Sequence, residues 1–370
     1  MPLQDMNKTE FAIIGGGPAG LSAAIEAAKA GVDVTLIDEN ERPGGQLFKQ
    51  IHKFFGSKNH HAGIRGIDIG YQLLDQVKES GANVMLNSLV WGLFKDHTLG
   101  VIHDNKNTLL RAERILLSTG AVENSLAFPN WTLPGVMGAG AIQTLVNVHR
   151  VLPGSRILMI GSGNVGLIVS YQLLQAGAEV IGIVEAAPQI GGYAVHASKI
   201  RRRGVPIYVS TTVKEAIGKD KVEKAVLVTL DKSWKPIPGT EKTLDVDVIC
   251  MACGLSPLSE LAWMAGVKFA YIPQLGGHVP IHDKNMATSI SGIYVAGDLA
   301  GVEEASSAID EGRLAGVAVA ESLGKLSKDD AKVKKDAILK SLDELRSGPF
   351  GESRHAAKEQ LIYGGGEWRY

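Results

Sequence analysis

The chain has 370 residues, 45% hydrophobic and 21% charged, with a formal net charge of −1. That length predicts two domains with extensions, and the near-zero charge supplies no general field for nucleic acid or an anionic membrane. Cys250 and Cys253 are the only cysteines, too few for a disulfide framework or for an iron–sulfur cluster held by this chain alone. No metal-ligand set is apparent. The N-terminus lacks a signal-peptide pattern and no apolar run reaches about 18 residues, so the protein is read as cytoplasmic, with no membrane span.

Phe11 to Gly15 is a short apolar run ending in glycines, Leu21 to Ala30 has Ala-rich helical composition, and Val32 to Ile37 reads as the next strand. At the first junction, Gly15-Gly-Gly17-Pro18-Ala19-Gly20 satisfies G-x-G-x-x-G. The first glycine makes the turn, the second admits a pyrophosphate and the third lets helix and strand pack. Such a helix start favours a diphosphate, because its N–H groups are unpaired and its dipole is positive there. Asp38 ends the second strand, about 20 residues on, where an acid accepts hydrogen bonds from ribose hydroxyls. Glu39, beside it, can share or take that role.

Gly44-Gly45-Gln46 follows, then a loop from Lys49 through His52 to His60 and His61. Lys49 and His52 are candidates for proton supply or charge stabilisation at a bound redox group. His60 and His61 read more simply as solvent-facing loop residues. Leu116 to Gly120 closes a strand with Thr119-Gly120. The Trp/Pro/Gly-rich stretch from Asn130 to Gly140 marks a crossing between domains.

The βαβ pattern returns at Arg156 to Ile160, Leu167 to Gln175 and Glu179 to Val184, an internal repeat. Gly161-Ser-Gly163-Asn164-Val165-Gly166 repeats the phosphate motif, and Glu185 ends the next strand. An acid there binds a ribose diol and repels a 2′-phosphate, so NAD(H) is expected, with ATP or no occupant as alternatives. Arg201 to Arg203 could bind a phosphate, although a solvated helix end is the simpler reading. Cys250 and Cys253 have C-x-x-C spacing on an apparent buried strand, where positions i and i+3 face opposite sides, so no redox pair is expected.

A second crossing is expected near Ile281 to Ile290, followed by Gly297-Asp298 and a helix starting between Glu303 and Ser306. Asp298 can serve as a helix cap as well as a ligand contact. Beyond Leu323 the composition turns to Lys, Asp, Glu and Ser, predicting a surface helix around Ala337 to Leu345 and a flexible end at Gly364 to Gly366.

These motifs, in this order, resemble the two-dinucleotide-binding-domain flavoproteins that include thioredoxin reductase and dihydrolipoamide dehydrogenase. The resemblance implies FAD on the first motif, with Gly44-Gly45-Gln46 near it, Thr119-Gly120 closing a strand of the same domain and Asp298 on the ribityl chain. Arg42 to Gln46, Leu133 to Val136, Val184 to Gly192 and Gly254 to Pro257 look, more narrowly, like the FAD-containing α-type subunits of opine oxidase, dye-linked proline and hydroxyproline dehydrogenases, hydrogen cyanide synthase and sarcosine oxidase. The implied fold is α/β, with two Rossmann-like domains, the second inserted in the first. On that reading residues 8–130 and 281–325 bind FAD, 131–280 form the NAD(P)-binding-like domain, and 326–370 are a charged helical tail. Electrons would move between NAD(H) and a partner flavoprotein or other acceptor in an oligomeric amine or imino-acid dehydrogenase complex. Any iron–sulfur cluster would sit on a separate protein. A free-standing NADH dehydrogenase or oxidase and a non-catalytic nucleotide-binding assembly protein are the rival readings.

Overall fold

The computed structural model describes residues 7–54, 58–348 and 351–363, without the side chains of residues 59 and 363. The expected flexible end at Gly364 to Gly366 lies outside them. The first apolar run becomes β1 (Asn7–Ile14), followed by α1 (Pro18–Lys29) and β2 (Val34–Ile37). Phe11 to Ile14 and all of β2 are buried, as unbroken apolar runs require in a parallel sheet covered on both faces. Then come α2 (Gly66–Ser80), β3 (Asn83–Met85), β4 (Ser88–Leu93), β5 (Thr98–His103) and β6 (Lys106–Leu117). The sheet runs β3-β2-β1-β6-β5-β4. Its first four strands are parallel and its last three form an antiparallel meander.

The connecting strand β7 (Ala121–Glu123) leads to a second unit, Glu123–Leu255. Here the order is β8 (Val136–Gly138), α3 (Ala139–Gln143), β9 (Arg156–Ile160), α4 (Asn164–Gln175), β10 (Glu179–Val184), α5 (Ala194–Arg202) and β11 (Ile207–Tyr208). An antiparallel trio follows, β12 (Thr211–Ile217), β13 (Lys224–Thr229) and β14 (Lys242–Asp245), and then β15 (Val248–Met251). The parallel sheet runs β11-β10-β9-β15-β8.

After β16 (Leu255–Pro257) the chain returns to the first unit through α6 (Glu260–Met264) and the hairpin β17 (Phe269–Ile272) and β18 (Gly277–Pro280). The second unit is thus inserted in the first, but the return comes earlier than the Ile281 to Ile290 crossing read from the sequence. Leu261, Ala262 and Val267 belong to the first unit's core, and that packing draws residues 256–280 with them. Next, β19 (Ile293–Val295) adds to β6 in parallel, and α7 (Ala305–Ser322), α8 (Lys328–Leu345) and α9 (Glu352–Tyr363) follow.

Helix α7 lies tightly on α1. A Cβ at Gly312 would stand 2.0 Å from the Ala19 carbonyl oxygen, and one at Gly316 would stand 2.6 Å from that of Ala23. Only a Gly-x-x-x-Gly face allows the backbones so close. The tail holds two helices where the sequence suggested one. Ala331, Ile338 and Leu342 of α8 are buried in the main core, and Ala357 and Leu361 of α9 pack with Ile272, Leu275 and Val279.

Candidate functional site

In the first unit the strand–turn–helix forms a cradle. Gly15 has φ +100°, and a Cβ there would lie 2.3 Å from the Ser118 carbonyl oxygen; one at Gly20 would lie 1.9 Å from that of Gly15. A Cβ at Gly17, by contrast, meets nothing within 4 Å. Steric demand thus requires glycine at the outer positions, while the middle one borders open space. Pro18 opens α1, no side chain caps that helix and no acid stands in its first turn, leaving N–H groups for an anion. Ala19 is buried under α7.

Asp38 closes the far side of this cradle. It is buried, and its carboxylate accepts from the Gly16 N–H at 2.6 Å and from the Asn40 backbone and side-chain N–H groups, both at 2.8 Å. Glu39 is exposed. The Gly44 N–H donates to the Gly16 carbonyl at 2.6 Å, and a Cβ at Gly45 would stand 3.0 Å from the Gly17 Cα, so the Gly-Gly turn lies directly on the motif. Gln46, on the following turn, is exposed. The Thr119 hydroxyl donates to the Leu258 carbonyl at 2.7 Å, and Gly120 turns the chain at φ +78°. Ser118 escaped the sequence reading: its hydroxyl bonds the Ile14 and Gly15 carbonyls at 3.0 and 2.9 Å, tying β6 to the cradle.

Gly297, at φ +72°, starts a short turn leading to α7. Asp298 accepts from the Glu303 N–H at 3.3 Å, whereas the α7 N-cap is Glu304, so Asp298 braces the approach to the helix and does not cap it. Part of the Asp298 surface stays open, but surrounding protein and then Glu311 and Glu303 push its carboxyl up to about 6. Glu311 is buried and accepts from the Gly297 N–H at 3.0 Å; Lys358 and Arg346 overcome its burial and hold it ionised below the usual range.

Lys49 ends the turn after Gly45, and the His52 ring stacks on Phe54 with centroids 6.1 Å apart. His60 does not face solvent as expected. It is buried, with Nε2 2.8 Å from the Ser341 hydroxyl of α8.

The second unit repeats the construction. A Cβ at Gly161 would lie 2.3 Å from the Ala252 carbonyl oxygen, one at Gly166 2.1 Å from that of Gly161, and one at Gly163 meets nothing within 4 Å. Glu185 takes the place of Asp38, accepting from the Ser162 N–H at 3.0 Å, the Ser162 hydroxyl at 2.6 Å and the Ala187 N–H at 2.9 Å. Asn164 starts α4 and accepts from the Tyr193 N–H, while Val165 is exposed beside it. The Gly192 N–H donates to the Ser162 carbonyl at 2.9 Å, as Gly44 does to Gly16. Gly192 therefore stands where Gly44 does, and both copies carry a Gly-Gly pair downstream of the acid, Gly44-Gly45 and Gly191-Gly192. Arg201 to Arg203 are exposed at the end of α5.

Cys250 is fully buried in β15, and burial pushes its thiol well up; Cys253 follows the strand and is raised by burial and then Glu185. Thiolates, the reactive form, are disfavoured at both.

Both cradles fit adenine dinucleotides: an open middle glycine, an uncapped helix start and a carboxylate across from it. A family model described as pyridine nucleotide-disulphide oxidoreductase matches residues 9–312. The chain belongs to that family. It is an FAD-dependent oxidoreductase, and its two cysteines both lie in the second unit. It is 29% identical over 381 residues to an opine oxidase subunit of Agrobacterium tumefaciens, covering 96% of this chain and 71% of that protein. With the HcnB subunit of hydrogen cyanide synthase from Pseudomonas aeruginosa the identity is 26%, covering 94% and 78%. The L-proline dehydrogenase structure from P. horikoshii (TM-score 0.68, 22% identity) covers 91% of this chain, which spans 60% of that one. Thioredoxin reductase from T. acidophilum (TM-score 0.71, 21% identity) covers 86% of this chain and 99% of its own. These two likenesses show the shared fold. Among the described residues no helix is long and apolar enough to cross a membrane.

Proposed function

We propose that this chain is the FAD-bearing subunit of a cytoplasmic amine or imino-acid dehydrogenase or oxidase, moving electrons between NAD(H) and a partner flavoprotein. The observation that carries this reading is the pair of like cradles on one chain, the first of them joined to the Gly297-Asp298 turn. FAD, when bound, supplies the two-electron chemistry, and the protein supplies placement and electrostatics. The α1 N-terminus would hold the diphosphate and Asp38 the adenosine ribose. Asp298 would accept from a ribityl hydroxyl, and the α7 N-terminus would stabilise negative charge arising on reduction. In the second cradle Glu185 would accept from the NAD(H) ribose diol and repel a 2′-phosphate. A partner protein is proposed because the opine oxidase and hydrogen cyanide synthase relatives are both named as subunits.

Mixing the purified protein with NADH under anaerobic conditions tests the electron path. Rapid bleaching of the flavin supports it, and an unchanged flavin spectrum removes NADH as donor. Co-purification of a second flavoprotein favours the complex, and turnover of NADH by the isolated chain with dye or oxygen favours a free-standing enzyme.

A further inference from the structure

We propose that Arg346, which caps the end of α8, and Lys358 of α9 are positioning residues for FAD that hold the Gly297-Asp298 turn in its binding conformation. Both lie beyond the stretch the family model matches, residues 9–312. Lys358 is 2% exposed, and its ammonium donates to the Ala300 carbonyl and to Glu311, each at 2.7 Å. Arg346 donates to Glu311 at 2.6 Å and grips both carboxylate oxygens of Glu303 at 2.8–3.2 Å.

Two paths therefore run from the tail to the turn. One passes through Glu311 to the Gly297 N–H, the other through Glu303, whose own N–H donates to Asp298. Ala300, the third anchor, ends the same short turn. A lysine so buried is held only by good partners, because an unpaired buried charge is very costly. Ala357 and Leu361, packed with Ile272, Leu275 and Val279, deliver it there. The charges acting on Asp298 are those of Glu311 and Glu303, opposed by Lys358, while Arg346 pairs with the two glutamates. His282 adds no charge: burial and then Lys358 lower it to about 3.

The proposal rests on FAD occupying the first cradle, and wild-type FAD content, with its loss in Gly17→Ala, tests that separately. The main experiment reconstitutes apoprotein with FAD across pH and titrates the second cradle with NAD⁺. Lys358→Met is expected to weaken FAD binding roughly tenfold, the scale of a lost buried charge-assisted hydrogen bond. It should also move the pH midpoint of FAD affinity upward, because a cation near Asp298 is gone, and leave NAD⁺ affinity unchanged. Leu99→Ala, which opens the first unit's core in β5 and leaves α8 and α9 untouched, should lower thermal stability and leave that midpoint in place. Arg346→Lys keeps the charge but cannot span Glu303 and Glu311 together. It should weaken FAD by a smaller factor, and it serves if Lys358→Met does not fold. Wild-type FAD affinity and midpoint in the variants that fold, or equal shifts in Leu99→Ala, overturn the proposal while leaving the cradle intact.

Discussion

Replacing Asp298 with asparagine should stabilise the FAD-free protein at neutral pH and weaken its hold on FAD. Burial, followed by the Glu311 and Glu303 charges, raises this carboxyl from 3.8 to about 6. At about 1.4 kcal/mol per unit, keeping it ionised costs on the order of 3 kcal/mol. The sign follows from linkage: between 3.8 and about 6 the folded state binds more protons than the unfolded one, so stability falls as pH rises through that window and is level above it. Asparagine has nothing to ionise and still accepts from the Glu303 N–H. Urea unfolding of apoprotein at a series of pH values reads the difference directly. The variant should gain up to about 3 kcal/mol at neutral pH and converge on wild type near the unperturbed carboxyl value. Fluorescence titration should show FAD affinity falling roughly tenfold or more, because a neutral amide is a weaker acceptor than a carboxylate. A difference independent of pH, or a less stable apoprotein at neutral pH, would refute the reasoning.

The glycines of the first cradle should separate folding from binding. Gly17→Ala, at φ −72° with no neighbour for its methyl, should leave thermal stability within about 1 kcal/mol of wild type and remove FAD from the purified protein. Gly20→Ala, which forces a methyl to 1.9 Å from the Gly15 carbonyl oxygen, should cost several kcal/mol, roughly 3 or more, and lower the melting temperature whatever the cofactor. Calorimetric titration of Glu185→Gln with NAD⁺ and NADP⁺ should show their affinities drawing together by roughly tenfold, since the repulsion of a 2′-phosphate is gone. An unchanged ratio would mean that Glu185 does not read the ribose.

The two cradles are legible in the sequence because their chemistry is local: a tight turn, a close helix–strand approach and an acid one strand later all fall within a short stretch of chain. Gly191-Gly192 is readable too, as the echo of Gly44-Gly45. What escapes depends on distant partners. His60 looks like a loop residue until Ser341 arrives from α8. Arg346 and Lys358 sit in a Lys/Asp/Glu-rich tail whose composition speaks of solvent. Their burial comes from Glu303, Glu311 and Ala300, which no local periodicity connects to them. Residues 256–280 read as part of the second unit because Gly254-Leu-Ser-Pro257 looks like the end of one more strand within it, and only the packing of Leu261 and Val267 into the first unit's core sets the boundary.

The central claim, electron exchange between NAD(H) in the second cradle and FAD in the first, is tested most directly by stopped-flow anaerobic reduction with NADH in wild type and Gly163→Ala. The Gly163 position has φ −65° and an open Cβ direction, so the variant should fold and keep its FAD. Wild-type flavin should bleach rapidly on mixing, and the variant's flavin should bleach far more slowly while still accepting electrons from dithionite. Equal rates in the two proteins, or no bleaching in wild type, would contradict the account.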